Sequence, residues 1–336
     1  MKALSLERPA PVSSNPLQYI DVPDPQPGPD EVLVEIEACG VCRTDLHIVE
    51  GEVAAPAYPV IPGHQAVGRI VERGSEACDL DIGDRVGVAW VGAFCRHCPF
   101  CLSGRENLCD NPTFTGLHRP GGFAERVTAH AAYVHRLPDT LGTDVSVAPL
   151  LCAGIIGYRA LKQSRLVPGE RVALYGFGAA AHIALQVARA WRCEVYVVSR
   201  DEASLERARE LGALWTGRIG EPLPHRVGHA VLFAPVGSLI PDIMRDLEKG
   251  GVLSIAGIYV DRIPELDYAA HLFGEKGLVS TTANTLKDAH DLLELAATAH
   301  ITTQVETFPF SEGNEALNRL KEGRLSAQSA VLKIKP

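Results

Sequence analysis

The sequence lacks the features of membrane, secreted and nucleic-acid-binding proteins. No apolar run approaches the ~20 residues that a membrane-spanning helix needs. The opening segment, MKALSLERPA, has neither the apolar stretch nor the small-residue cleavage site of a signal peptide. No basic block offsets the formal charge of −9, which argues against nucleic acid and anionic membranes as partners. We therefore expect a cytoplasmic protein.

The composition is that of an ordinary globular protein with more than one domain. Hydrophobic residues make up 46% of the chain and charged residues 22%. The 336 residues exceed the size at which a single core stops growing. Within the first 150 residues, β-branched runs at 31–40, 66–74 and 84–92 are separated by Gly, Pro and Asp. This pattern predicts a β-rich first domain.

Farther along the chain, strands alternate with helices of about a dozen residues. The predicted strands are 171–178, 193–200, 229–235, 252–257 and 277–284, and the predicted helices between them are 179–191, 203–213 and 240–251. The alternation predicts parallel βαβ units and a doubly wound sheet. A helix at 286–300 and a closing strand, SAVLKIKP, do not extend it. We therefore expect the end of the chain to rejoin the first domain.

Four cysteines stand close together in the run CRHCPFCLSGRENLC, with the spacing C-x2-C-x2-C-x7-C. This spacing suits one tetrahedral Zn²⁺ held by four thiolates in a short lobe, residues 93–112. Disulfides are disfavoured because the chain has no secretory signal and adjacent C-x2-C pairs make strained bridges. Four thiolates leave no position for a substrate, so the predicted zinc is structural. Its ligands would be Cys95, Cys98, Cys101 and Cys109.

A glycine motif joins the first strand of the alternating region to its first helix. The residues Gly176, Gly178, Ala179 and Ala181 belong to a G-x-G-x-x-A fingerprint for dinucleotides. The first glycine makes a tight turn, the second lets the backbone approach a pyrophosphate, and the small last residue lets helix and strand pack closely. The helix N-terminus then faces the phosphates. The alternative is a glycine-rich turn that binds nothing, but the strand, helix and second strand are all in place.

The end of the second strand distinguishes between the two nicotinamide cofactors. An NAD site usually presents Asp or Glu there to the ribose 2′-OH. This chain presents Ser199 and Arg200, which could donate hydrogen bonds to a 2′-phosphate. We therefore predict NADP(H). In the alternative, NAD(H) binds and the Asp201 carboxylate accepts a hydrogen bond from the ribose. Asp201 is, however, better placed to be the N-cap of the next helix.

Cys42, His64 and Cys152 could form a second metal site, with Cys42 and His64 at loop positions. Three protein ligands with an open fourth position define a catalytic zinc, and Cys2His is a recognised ligand set. Taken singly, an isolated histidine is usually structural and an isolated cysteine is usually a core residue. The prediction therefore depends on the combination.

Six motifs occur in the order GVCRTDLH, PGH, the cysteine lobe, GGFAE (121–125), LLCAG and the nucleotide fingerprint. In this order they resemble the zinc-dependent alcohol dehydrogenases of the medium-chain dehydrogenase/reductase superfamily, over essentially the whole chain. The segment 266–285 is similar to a bacterial branch. The resemblance implies an α/β fold with a β-rich GroES-like catalytic domain (1–152 and 285–336) and a doubly wound Rossmann domain with a parallel sheet (153–284). It also implies a homo-oligomer, dimer or tetramer.

The resemblance assigns a role to each matching residue. Zinc at Cys42, His64 and Cys152 would activate a small alcohol or aldehyde for hydride exchange with the nicotinamide. Asp45 would orient the His64 ring. Thr44 would accept the alcohol proton, and His47 would relay it to solvent through the cofactor ribose. Arg43 would contact the pyrophosphate, and Trp90 would narrow the pocket toward unhindered substrates. Read alone, Asp45 is a turn residue, Arg43 a surface charge and Trp90 a core aromatic.

The chain departs from the family pattern at two places. Gln65 follows His64 where the family commonly has Glu, and a neutral amide cannot act as an anionic ligand, so ligand exchange at the metal would be slower. The ending GRLSAQSAVLKI lacks an arginine that often contacts the pyrophosphate.

Three other readings compete with the leading one. A polyol dehydrogenase is disfavoured by Cys152 and the intact cysteine lobe, and a quinone or enoyl reductase would have lost both zinc sites. A catalytically weak NADP(H)-binding sensor or scaffold is left open by Gln65. Retention of three ligands with Thr44 and His47 disfavours it.

Overall fold

Residues 1–335 are described by a computed structural model and fold as two units. The first unit contains Met1–Cys152 and the chain from Ala283 onward, and the second contains Ala153–Thr282. The sequence-based boundary after residue 284 differs from this division by two residues. A β-rich unit and a doubly wound unit together confirm the predicted α/β fold class.

The elements follow one another in three stretches of chain. Up to Cys152 they are β1 (Lys2–Leu6), β2 (Leu17–Asp21), β3 (Glu31–Val41), α1 (Arg43–Glu50), β4 (Ala66–Arg73), β5 (Arg85–Val88), β6 (Val91–Ala93), α2 (Pro99–Leu102), β7 (Thr113–Phe114), β8 (Arg126–His130), β9 (Val134–Arg136) and α3 (Asp144–Val147). The second unit has α4 (Ala153–Gln163), β10 (Arg171–Tyr175), α5 (Ala179–Ala190), β11 (Glu194–Val198), α6 (Glu202–Glu210), β12 (Trp215–Gly217), β13 (Val227–Leu232), α7 (Ile240–Asp246), β14 (Leu247–Ile255) and β15 (Gly277–Ser280). The chain then returns with α8 (Leu286–Thr298), β16 (Val305–Pro309), α9 (Gly313–Glu322) and β17 (Ser329–Lys333).

The first unit is organised around a seven-stranded sheet in the order β16-β17-β3-β4-β5-β9, with β8 also paired to β3. The strand β3 is the longest, and its alternating apolar residues Val32, Val34 and Ile36 are fully buried in the core. It pairs with β4, β8 and β17, all antiparallel. Its last residue, Val41, directly precedes Cys42, so the sheet fixes the position of that cysteine.

The second unit contains a six-stranded parallel sheet in the order β12-β11-β10-β13-β14-β15. Along the chain this order reads 3-2-1-4-5-6, the order of a dinucleotide-binding sheet. The inner strands are nearly continuous apolar runs, such as RVALY in β10, as expected where helices cover both faces. The chain order reverses between β10 and β13, and ligands bind such sheets at the carboxyl ends of the strands there.

The sequence-based assignment differs from the structure in several places. The helix predicted at 240–251 ends at Asp246, because Leu247 is fully buried and already pairs with β13. The strand predicted at 84–92 is interrupted between Val88 and Val91. The structure has a helix, α1, where the sequence pattern predicts a loop, and a short strand, β12, where the pattern predicts no element.

The described residues include no single helix that is long and apolar enough to cross a membrane. One bent pair of helical segments, 144–151 and 153–163, has the length and composition of a membrane span, and only these two properties favour it.

Candidate active site

Cys42 lies at the junction between β3 and α1, where it caps the helix. Its Sγ accepts the backbone N–H of Thr44 at 3.3 Å, and the Asp45 carboxylate accepts the N–H of Cys42 at 2.9 Å. This reciprocal arrangement is a capping box. It fixes the start of α1, so Thr44, Asp45 and His47 are held on one short helix and not on a loop.

Three side chains converge next to this cap. The Cys42 Sγ lies 3.3 Å from Nε2 of His64 and 4.0 Å from Sγ of Cys152. The three ligand atoms all lie within 4.8 Å of one another. Ligands of a tetrahedral zinc with Zn–S bonds of ~2.3 Å lie ~3.8 Å apart, so the spacing and the donor types fit that metal. The chain therefore brings together the three residues that the sequence singled out.

Asp45 holds the His64 ring in a completely buried site. Its Oδ1 accepts hydrogen bonds from Nδ1 of His64 at 3.1 Å and from the N–H of Gly63 at 3.0 Å. Burial raises the pKa of Asp45, and the neighbouring His64 partly offsets this effect. Burial alone would lower the pKa of His64, but Asp45 and Cys42 raise it well above its usual value. Because Nδ1 donates to Asp45, Nε2 is the nitrogen that faces the two sulfurs.

The two cysteines of this cluster share a hydrogen bond. The contact with Cys152 lowers the pKa of Cys42 well below its usual value, and the nearby His64 lowers it further. The same contact, together with burial, raises the pKa of Cys152. A pair of thiols and an imidazole at these distances is a site that releases protons when a divalent metal binds.

The four cysteines of the lobe form a second cluster, with their ligand atoms within 4.8 Å of one another. Backbone N–H groups point at the sulfurs: Cys95 N–H donates to Cys109 Sγ at 3.3 Å, and Cys98 N–H donates to Cys95 Sγ at 3.4 Å. Hydrogen bonds from the backbone of Asp110 and Cys101 lower the pKa of Cys98 to about 6. Four thiols supported in this way fit a closed tetrahedral metal site.

Trp90 lies in the connection between β5 and β6, beside the His64 ring. The two rings meet edge to face with centroids 5.0 Å apart. Trp90 also contacts Phe114, whose ring stacks on the indole with centroids 4.6 Å apart and an interplanar angle of 12°. Sequence analysis missed Phe114, because the two-residue strand β7 that carries it has no periodic signal.

The remaining predicted residues of α1 have different degrees of exposure. Arg43 is exposed, and Thr44 and His47 are partly buried. His47 contacts the carboxylate of Glu52, a residue that sequence analysis also missed. Gln65 is buried, and within residues 1–335 its Nε2 has no hydrogen-bond partner.

In the second unit, the fingerprint residues form an open turn between β10 and α5. Gly176 has φ +88°, and a Cβ there would lie 2.9 Å from the nitrogen of Ala234, so only glycine fits. A Cβ on Gly178 would meet no described atom within 4 Å, and no side chain caps α5 at this residue. Ala181 is fully buried between helix and sheet. The first-turn N–H groups next to Ala179 are therefore accessible to an anionic group.

Beyond the end of β11, Ser199 is buried and Arg200 is exposed. Asp201 caps α6, accepting the N–H of Ser204 at 3.0 Å and its hydroxyl at 2.7 Å. These hydrogen bonds lower the pKa of Asp201. The predicted capping role of Asp201 is therefore confirmed, and its carboxylate already has two donors.

The chain is similar to known proteins over nearly its whole length. Residues 28–139 match the alcohol dehydrogenase GroES-like domain family. A probable alcohol dehydrogenase AdhA of Mycobacterium tuberculosis is 42% identical, over 99% of this chain and 97% of its own length. The structure is similar to that of a CAD from Helicobacter pylori complexed with NADP(H), with TM-score 0.85 and 25% identity, covering 99% of each chain. It is also similar to an acetophenone reductase from Geotrichum candidum in complex with NAD, with TM-score 0.85 and 26% identity, covering 99% of this chain and 96% of the other.

Proposed function

The chain belongs to the alcohol dehydrogenases of the zinc-type medium-chain dehydrogenase/reductase family, and we propose that it transfers hydride between NADP(H) and an unhindered primary alcohol or aldehyde at a zinc site. The observation that carries this proposal is the convergence of Cys42, His64 and Cys152, with Asp45 hydrogen-bonded behind the histidine. Three protein ligands leave a fourth tetrahedral position for the substrate oxygen.

The donor set of this cluster fits zinc, and so does that of the lobe. Cys42, His64 and Cys152 would hold the catalytic ion, and Cys95, Cys98, Cys101 and Cys109 the structural one. When bound, the catalytic zinc supplies a Lewis acid for the substrate oxygen, and the nicotinamide exchanges the hydride. Asp45 keeps Nδ1 of His64 protonated, which leaves Nε2 as the metal-binding nitrogen.

Residues of α1 would handle the proton that hydride transfer releases or consumes. The start of the helix is fixed by the capping box, so Thr44 is held next to Cys42. We infer that the Thr44 hydroxyl exchanges a proton with the substrate oxygen and that His47, one turn later and partly buried, passes it toward solvent. Arg43 is exposed at the first turn and is available to a pyrophosphate.

Trp90 would form one wall of the substrate site. Its contact with the His64 ring holds the indole beside the proposed metal ligands, and the stacked Phe114 ring supports it. Two rings held in this way cannot move apart without losing packing, so bulky groups next to the reacting carbon would be excluded. This geometry favours primary alcohols and aldehydes over branched secondary ones.

The NADP(H) preference is supported by the charges after β11. Asp201 is the only carboxylate at 199–201, and it is engaged in capping α6. Arg200 is exposed, and Ser199 provides a hydroxyl beside it. The 2′-phosphate of NADP(H) could therefore accept hydrogen bonds from a guanidinium and a hydroxyl. The ribose 2′-OH of NAD(H) would have no free carboxylate at these positions to which it could donate.

We also propose that the chain forms a homo-oligomer through its second unit. The strand β15 is an edge of the six-stranded sheet, and the preceding segment exposes large apolar side chains. Exposed apolar groups beside an open strand edge favour association with another copy. These side chains are Ile258, Tyr259, Ile263, Tyr268 and Phe273. Light scattering after gel filtration would measure the mass, and a monomer at micromolar concentration would reject the proposal.

The first test is kcat/KM for reduction of a small aromatic and a short aliphatic aldehyde by zinc-loaded protein, with NADPH and NADH in parallel. A preference for NADPH that Arg200→Ala lowers by roughly 10-fold or more supports the cofactor proposal, because a charged hydrogen bond is worth about 1.5–3 kcal/mol. A preference for NADH rejects it and retains the dehydrogenase. Absence of turnover with two bound zinc ions would favour the sensor or scaffold reading.

A further inference from the structure

The end of α1 folds back over the turn that carries His47. The helix ends at Gly51, which has φ +81° and donates its N–H to the carbonyl of Ile48 at 3.2 Å. The N–H of Val53 then donates to the carbonyl of His47 at 3.1 Å. A Cβ on Gly51 would lie 2.8 Å from the Cβ of Pro9, so this reversal requires glycine. As a result Glu52, five residues after His47, lies beside the histidine ring.

The carboxylate of Glu52 contacts Nδ1 of His47 at hydrogen-bonding distance. A carboxylate can only accept, so Nδ1 is the nitrogen that carries the proton. No residue within 1–335 hydrogen-bonds Nε2, which is left as an acceptor in the neutral ring. The His47 side chain is 15% exposed and that of Glu52 60% exposed, so the contact lies between the helix and solvent.

Two other charged groups face this end of the helix, and they are bound to each other. Glu50 accepts the N–H of Val12 at 2.9 Å and the ammonium of Lys321, which comes from α9, at 2.6 Å. Glu50 makes no hydrogen bond to the His47 ring among the described residues. Among the described residues, Glu52 is therefore the carboxylate that contacts the His47 ring.

We propose that Glu52 is a positioning residue for the proton relay: it holds the proton of the neutral His47 on Nδ1, so that Nε2 is the atom that takes up the proton released in alcohol oxidation. A carboxylate that fixes the tautomer and orientation of a general-base histidine is a recurring device in enzymes. The step balances without a co-reactant, since the proton moves from the relay to Nε2 and leaves to solvent. The catalytic consequence rests on the proposed relay, whereas the effect on the tautomer does not.

The tautomer can be measured directly by NMR of protein labelled with ¹⁵N at the histidine rings, with His47→Gln to identify the signals. Above neutral pH, we expect a protonated Nδ1 and a bare Nε2 in the unmodified chain. Glu52→Ala removes the acceptor and should move protonation toward Nε2. Glu50→Gln removes the same charge from the same helix end and should leave the tautomer unchanged. An Nε2-protonated ring in the unmodified chain, or no change in Glu52→Ala, overturns the proposal.

Kinetics test whether the tautomer matters for the reaction. We expect Glu52→Ala to lower kcat for alcohol oxidation by roughly 10-fold with little change in the KM for the cofactor, since general acid–base catalysis contributes about 10²–10⁴-fold in total. Glu52→Gln should recover part of this loss, because its amide oxygen still accepts from Nδ1. In a His47→Gln background, Glu52→Ala should have no further effect.

An equal loss with and without His47 would mean that Glu52 acts elsewhere and would overturn the proposal. If the unmodified zinc-loaded protein shows no turnover, the proposed function fails, and the NMR comparison still decides whether Glu52 sets the His47 tautomer.

Discussion

The two cysteine clusters of the first unit are built in opposite ways. In the lobe, four sulfurs come from one stretch of 15 residues, 95–109, and the backbone of the same stretch donates hydrogen bonds to them. The other cluster collects Cys42, His64 and Cys152 from three distant segments and adds a buried carboxylate, Asp45. The first set is complete by itself. The second leaves one tetrahedral position open and depends on the whole sheet for its geometry.

This difference explains what each cluster can do. A closed set of thiolates binds a metal tightly but offers no place for a ligand, so its contribution is to stability. An open set with a hydrogen-bonded histidine can accept a substrate, and its ligands must be oriented by other residues. Substitutions in the open cluster should therefore lower activity, whereas substitutions in the lobe should mainly lower stability.

The largest expected effect is the loss of activity in Cys42→Ser. Removing one of the three proposed protein ligands should reduce the zinc content from the proposed two ions per chain to one. It should also lower kcat/KM by roughly 10³-fold or more, since a Lewis-acid metal is worth several kcal/mol in the transition state. Metal analysis and steady-state kinetics would measure both. Cys78→Ser, at an exposed cysteine outside both clusters, is the control. Two retained zinc ions in Cys42→Ser would contradict the ligand assignment.

In the lobe, Cys98→Ser should mainly destabilise the protein. Structural zinc contributes about 10 kcal/mol or more to small metal-dependent folds, and part of that stabilisation would be lost. We expect one zinc ion per chain, a clearly lower melting temperature and kcat/KM within a few-fold of the unmodified enzyme at low temperature. Calorimetry with metal analysis checks this. Complete loss of turnover in a folded Cys98→Ser variant would show that the clusters are not independent.

Asp45→Asn tests the carboxylate that only the open cluster has. Loss of such a partner typically costs about 10–100-fold in metal affinity or activity. The amide also leaves a buried site with fewer charge-assisted hydrogen bonds to His64 and Gly63. Competition with a chelator should show one zinc ion released faster and the lobe ion unchanged. Equal acceleration for both ions would argue for general destabilisation.

A smaller effect is expected at His182, which is as buried as His64 but has no carboxylate. Neither ring nitrogen of His182 has a hydrogen-bond partner among residues 1–335, and burial lowers its pKa to about 4. The unfolded chain takes up a proton near pH 6.5 while the folded chain resists it, so stability falls as the pH drops from about 6.5 toward 4.

His182→Leu should remove this dependence. Between pH 7.5 and pH 5.5, the unmodified protein should lose roughly 1.4 kcal/mol more unfolding free energy than the variant. Denaturant unfolding at the two pH values measures the difference. Equal losses in both proteins would mean that His182 is already hydrogen-bonded or solvated.

The parts of the fold with strong periodicity were predictable from sequence. The alternation of β10, α5, β11 and α6 follows directly from apolar runs separated by a glycine turn and an aspartate cap. Helix α7 was predicted too long, because the burial of Leu247 in a strand outweighs the helical pattern that precedes it. Helix α1 was missed because eight residues carry too little periodic signal, although the Cys42–Asp45 capping box defines its start.

The two metal-site candidates could be singled out from sequence because few residue types bind zinc and each of these residues stands in a short motif. Contacts between distant or irregular segments could not. The stacking of Phe114 on Trp90 joins two loops, and the contact of Glu52 with His47 depends on the left-handed turn at Gly51. Neither contact follows a helix or strand period, so only the folded chain reveals it.

The last strand, β17, lies inside the first sheet, parallel to β16 and antiparallel to β3. Its residue Ala330 pairs with Val41, the neighbour of Cys42. During translation, the ribosome makes β3 early and β17 only after the entire second unit. Until then β8 covers residues 31–35 of β3, but the end of the strand at 38–41 stays unpaired on one side in the nascent chain. An unpaired strand edge favours wrong pairing with other chains. The time needed to synthesise the inserted second unit is thus the time for which the end of β3 next to Cys42 lacks its partner strand β17.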